Sequence, residues 1–113
     1  MTAKLILFVR RRPDLTHDEF KSRYESGHAP LARSVLPLLR NYVRNYLSRM
    51  PGGPEPEYDV VTEFWFDSLA DLEETVRWAG TEEGQVLARD EAEFMDRSSM
   101  RVFIAEEHQL TDD

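Results

Sequence analysis

Two segments of this chain are apolar on both of their alternating faces: Lys4–Arg10, reading KLILFVR, and Tyr58–Phe66, reading YDVVTEFWF. Side chains of a strand point alternately to the two faces of a sheet, so a segment of this kind sits centrally and needs cover on both sides. A chain of 113 residues provides for one domain. Its helices can blanket one face of a small sheet. The other face stays apolar and open, a liability on a monomer that a second subunit would remove.

The remaining segments fit around those two strands. Pro13 closes the first, and Thr16-His17-Asp18-Glu19 has the form of a capping box, so a helix follows. Its stripe is Phe20, Tyr24, His28, Leu31 and Val35, and Gly27 and Pro30 predict a kink or a break near His28. Asn41–Arg49 alternates and is aromatic, a second strand. MPGGPEPE is a loop. After the third strand, Ser68 caps a helix to about Ala79, and Thr81 opens another to about Asp96. Met100–Glu107 is the last strand, with a polar tail over about residues 109–113. The order β-α-β-β-α-β is that of an α+β, ferredoxin-like antiparallel sheet with helices on one face. The whole of residues 1–113 is one domain.

Charge and composition exclude several classes. The formal net charge is −8, which argues against nucleic acid or an anionic membrane as partner. The distribution is uneven: residues 1–50 carry a net +6 and residues 51–113 a net −14, which points to contacts between the halves and between subunits. No cysteine is present, so disulfides, thiolate zinc sites and cysteine nucleophiles are out. The three histidines match no compact metal motif, and no phosphate-cradling or nucleophile-elbow motif occurs. The arginines follow the first apolar run, the reverse of a signal peptide, and no stretch is long enough to span a bilayer, so a cytoplasmic location is expected.

Two titratable residues fall on apolar stripes. His28 shares the face of Phe20 and Tyr24, and is either a general acid–base, a core histidine bonded to a carbonyl, or a cap where the helix breaks at Pro30. Asp90 lies between Leu87 and Phe94 at helical spacing, and either orients a histidine, acts as an acid with a raised pKa, or closes an ion pair with an arginine of the basic half. Tyr42, Tyr46, Phe64, Trp65 and Phe94 are candidates for an aromatic pocket suited to a flat ligand, with Asn45 as a polar strand residue near it.

The run Phe20 to Leu31 (FKSRYESGHAPL), then RNYVRN, YDVVTEFWFDSL, RDEAEFMD and a closing EEH, resembles the EthD family over nearly the whole chain. The resemblance implies a dimeric α+β barrel. Relatives include a muconolactone methylisomerase and dehydratase-like or cyclase-like proteins that tailor aromatic polyketides. These shift protons on small cyclic carbonyl compounds without an organic cofactor. The family's recurrent histidine maps to His28, and its recurrent aspartate and phenylalanine to Asp90 and Phe94. Many relatives carry histidine after the strand-two asparagine, where this chain has Tyr46 as a substitute proton donor or hydrogen-bond partner. The function expected is therefore a cofactor-independent lyase or isomerase on a small aromatic or polyketide-like substrate, acting as a homodimer. A non-catalytic small-molecule binding protein is the alternative, and an oxygen-using or haem-linked enzyme a third.

Overall fold

The computed structural model describes residues 2–110. Four strands, β1 (Ala3–Val9), β2 (Leu39–Tyr46), β3 (Val60–Phe66) and β4 (Arg101–Ala105), form one sheet in the order β2-β3-β1-β4. Every neighbouring pair is antiparallel. The two segments apolar on both faces are thus the two central strands, as their composition demanded. This is the ferredoxin-like arrangement.

Register divides the sheet into two faces. Leu7 pairs with Thr62 and Tyr42 with Phe64, so Leu7, Val9, Val60, Thr62, Phe64 and Tyr42 share one side. Most of these join the buried core with Phe20, Tyr24, Ala29, Ala32 and Phe94, which places all the helices there. The opposite side carries Ile6, Phe8, Val61, Trp65 and Phe103, and Phe103 is 55% exposed. It also carries a polar cluster: Glu63 accepts from Lys4 and from Asn45, each at 2.9 Å.

The helices are α1 (His17–Arg23), α2 (Ala29–Val35), α3 (Leu69–Ala79) and α4 (Gln85–Glu91). The capping box is present in full: Thr16 Oγ1 accepts from the Glu19 amide and Glu19 accepts from the Thr16 amide. Ser68 caps α3 by accepting from the Asp71 amide. The interruption foreseen near His28 is a π turn, Tyr24–His28, joining α1 to α2 without a break in the helical path. Pro30 has no N–H to offer the preceding turn, and the wider turn accommodates its ring.

Several boundaries differ from expectation: the last helix opens at Gln85 rather than Thr81, strand two ends at Tyr46 rather than Arg49, and strand four spans Arg101–Ala105 rather than Met100–Glu107. The last helix does not run to Asp96 but ends at Glu91, and Phe94 sits in a turn. Core burial of Phe94 turns the backbone there towards the end of β1, where the Arg12 amide donates to the Phe94 carbonyl and the Asp96 amide to the Arg10 carbonyl, both at 2.9 Å. Strand two starts two residues early, at Leu39, across a bulge between Leu39 and Asn41. Strand three starts two residues late, because the Asp59 side chain turns to accept from the Arg11 amide at 2.8 Å. Of the polar tail, residues 111–113 lie outside the described residues. No helix is long and apolar enough to cross a membrane among the described residues.

The basic and acidic halves interleave as their opposite charges suggested. Lys4 pairs with Glu63 and Glu107, Arg10 with Glu57, Arg11 with Asp59, Arg23 with Asp90 and Arg40 with Asp67. Each joins a base from the first half to an acid from the second.

Candidate functional site

The π turn and α4 together build the site. Phe20, Tyr24 and His28 all face the sheet, and His28 is only 2% exposed. Its ring packs against Tyr24 and Phe94, with centroids 5.6 and 5.3 Å away. His28 Nδ1 lies 2.8 Å from Asp90 Oδ2. On the other edge, Nε2 lies 3.7 Å from Glu91 Oε2. Consecutive residues of a helix project about 100° apart, so one turn of α4 places a carboxylate on each side of a single imidazole.

Arg23 fixes this arrangement. Its Nη2 and Nη1 donate to the two oxygens of Asp90 at 2.5 and 3.4 Å, and its guanidinium lies over the Phe94 ring at 5.1 Å. Gly27 lets it pass: a Cβ on that residue would strike the Arg23 guanidinium. Burial works against the charge on Asp90, but the bonds from Arg23 and His28 outweigh it and hold the carboxyl below its ordinary range, so the expectation of a raised acid at this position fails. With Asp90 ionised, the hydrogen of the Nδ1 contact belongs to His28, and the neutral ring then has Nε2 free as a base. Glu91 differs from its neighbour. Burial pushes its carboxyl up, against the pull of His28 and of Arg97, whose Nε donates to Glu91 at 3.1 Å. Two adjacent carboxyls thus differ in proton affinity, one held ionised and one biased towards its acid form.

The six residues proposed as substrate contacts do not converge. Tyr42, Tyr46, Phe64 and Phe94 lie on the helix side with His28. Asn45 and Trp65 lie on the opposite face, Asn45 donating to Glu63 and Trp65 lying under Lys4 at 4.7 Å. Alternation along a strand imposes this split, for Asn45 stands beside Tyr46 and Trp65 beside Phe64. Phe94 touches His28 directly. Tyr42 reaches the site through a chain of hydroxyls: it donates to Tyr24 at 3.2 Å, and Tyr24 meets Thr62 at 2.8 Å. Burial, against the bonds to Thr62 and Tyr42, raises the Tyr24 phenol to about 12, so it stays neutral. Tyr46 is not a partner of His28; it donates to Glu25 at 2.6 Å, beside the Arg44–Glu25 pair. Glu91 escaped the sequence reading, whereas Arg23 is the basic-half arginine expected as one possible partner of Asp90. Spacing could have flagged Glu91, since it neighbours Asp90. Among the described residues no group of three His, Asp or Glu side chains is arranged to hold a metal ion.

Residues 12–98 match the EthD domain. The chain belongs to the EthD family. Its fold is similar to that of an ethyl tert-butyl ether D family protein from Bacillus halodurans, 27% identical, with a TM-score of 0.71 over 96% of this chain and 100% of that one. A dimeric protein of unknown function from Bacteroides fragilis, 17% identical, aligns over 93% of this chain and 95% of its own with a TM-score of 0.62. SnoaB from Streptomyces nogalater, a cofactor-independent oxygenase, shares the fold at 11% identity, TM-score 0.61, over 99% of this chain and 98% of its own. No curated protein matches the chain. The EthD family and this fold therefore stand on both sequence and structure.

Proposed function

We propose that this EthD protein is a cofactor-independent lyase or isomerase in which His28 moves a proton on a small aromatic or polyketide-like carbonyl compound. The observation that carries the proposal is the 2.8 Å contact between His28 Nδ1 and an Asp90 carboxylate clamped by Arg23. It sets the tautomer that leaves Nε2 basic. Nε2 takes a proton from the carbon next to the carbonyl, and the electron pair of the broken C–H bond becomes an enolate. Returning the proton to a different carbon completes an isomerisation. Delivering the proton held on Nε2 to a departing hydroxyl completes a dehydration. Substrate reaches Nε2 by displacing the Glu91 side chain, which is 15% exposed. Tyr42, Phe64 and Phe94 supply apolar wall on that side of the sheet.

Aryl β-keto esters incubated in D2O test the shared first step, read as deuterium uptake above the uncatalysed rate. His28→Ala should reduce uptake to background with circular dichroism and elution volume unchanged. Uptake that survives the substitution refutes the assignment. Dioxygen consumption by the same mixture separates an oxygenase, the activity of SnoaB, from a proton shuttle.

The near-complete burial of His28 favours one second reading, a non-catalytic small-molecule binding protein. A ligand that raises the melting temperature and is recovered unchanged after long incubation supports it. We also propose a homodimer whose sheets face each other, supported by the exposed Phe103 beside Ile6, Phe8 and Trp65 and by the dimeric structural relative. A monomeric sedimentation coefficient at low and high salt refutes it.

A further inference from the structure

We propose that the groove between the C-terminal end of α2 and the outer edge of β2 binds the carboxylate of a small planar acid. The groove encloses about 450 Å³ and is lined by Arg33, Arg40, Arg44, Leu36, Leu39 and Tyr42, with Pro37 and Asn41 completing it. Its lining includes three guanidinium groups and no carboxylate, in a chain whose net charge is −8.

The three arginines are not equivalent. Arg44 is committed to the fold. Its Nε and Nη2 donate to Glu25 at 2.9 and 2.6 Å, and its Nη1 donates to the Tyr42 carbonyl at 2.9 Å. Arg40 gives its Nε to Asp67 at 2.8 Å, and its two terminal nitrogens make no hydrogen bond among the described residues. Arg33 makes no side-chain hydrogen bond or ion pair there. Two forks with spare N–H groups therefore border one groove, and a planar guanidinium receives a carboxylate through two parallel bonds.

Charge and shape define the ligand. Glu25 and Asp67 offset two of the three arginines, leaving one positive charge, which matches a monoanion rather than a dianion. Apart from Asn41 the remaining wall is Pro37 and Leu39, backed by buried Leu36 and by Tyr42, which is held rigid between Arg44, 4.6 Å above its ring, and Phe64, stacked 4.8 Å away at 17°. An aromatic ring can lie along Pro37 and Leu39 while its carboxylate reaches Arg33 and Arg40. The inference is independent of turnover at His28.

Calorimetric titration of the full chain with benzoate, benzamide and inorganic phosphate tests it. Benzoate should bind saturably, with neutral benzamide and phosphate each weaker by about tenfold or more. Arg33→Met combined with Arg40→Met should weaken benzoate by about tenfold or more, whereas Arg77→Met on α3 should leave it unchanged. Thermal melts establish that the variants are folded. The proposal is overturned by no saturable benzoate binding up to about 10 mM, by benzamide or phosphate binding as tightly as benzoate, or by an intact benzoate affinity in the double variant.

Discussion

Replacing Asp90 by Asn keeps the size of the side chain and removes its charge. Two interactions change. The bond from His28 ends under a ring 2% exposed, and a hydrogen bond to a charged partner in such a place contributes about 1.5–3 kcal/mol. The Arg23 pair is half-solvated, with side chains 35% and 20% exposed, so its share is discounted to about 0.5–1 kcal/mol. An amide keeps one acceptor oxygen for one of the two donors and recovers part of the sum. The expected loss is about 2 kcal/mol, which for a domain of this length lowers the melting temperature by about 8 °C. The sign of the pH dependence follows from Asp90 itself. Burial opposes its charge, but Arg23 and His28 prevail and depress the carboxyl below its ordinary value of 3.8. A depressed carboxyl contributes stability above its unfolded-state pKa and loses it as pH falls through the folded one. The gap between wild type and variant should therefore be full at pH 7 and shrink below about pH 4. Circular-dichroism melts at one fixed protein concentration, which keeps any self-association constant, give both numbers. Nitrogen-15 spectra of the imidazole should show Nδ1 protonated in neutral wild type and lose that preference in the variant. A drop of less than about 2 °C, or a gap that widens in acid, refutes the clamp.

Three further outcomes rest on the same neighbourhood. Gly27→Ala should not deliver the usual gain of about 0.5–1 kcal/mol for removing a helical glycine, because the new methyl strikes Arg23; in an Arg23→Ala background the gain should return, as urea unfolding of the four-member cycle would show. Glu91→Gln tests the buried acid. Burial raises Glu91 despite His28 and Arg97, so the wild-type residue favours the folded state at low pH and loses that advantage as pH rises through its folded pKa. The Gln variant should accordingly gain on wild type as pH rises above about 4 in thermal melts. Thr62→Val leaves the buried Tyr24 hydroxyl with Tyr42 alone and should cost about 1–2 kcal/mol in denaturant titration.

Much of the fold was legible because each element carries a local signal. The capping box at Thr16, the cap at Ser68 and the two doubly apolar strands required no knowledge of their surroundings. Boundaries were less so, because long-range contacts set them: Phe94 leaves the helical pattern to enter the core, and Asp59 leaves the strand to meet Arg11. Of the candidate site, the pair His28 and Asp90 was legible, since a titratable group on an apolar stripe is visible in one dimension. Which arginine would meet Asp90 was not, for the role of Arg23 depends on a gap at Gly27 that exists only when the helix is wound and α4 lies against it.

The sequence by itself determined the element order, the antiparallel α+β class, an apolar second sheet face and the opposite charges of the two halves. These follow from periodicity and composition, which act over a few residues. The tertiary structure alone decided that Asp90 and Glu91 straddle one imidazole, that the strand face of Tyr46 and Phe64 rather than that of Asn45 and Trp65 meets the helices, and that Arg33 and Arg40 border a common groove. Such facts depend on register and on which helix face meets which strand, and for His28 and Asp90, sixty-two residues apart, the chain carries no local trace of the contact. The joining of residues 23, 28 and 90 is a property of packing, and packing exists only in three dimensions.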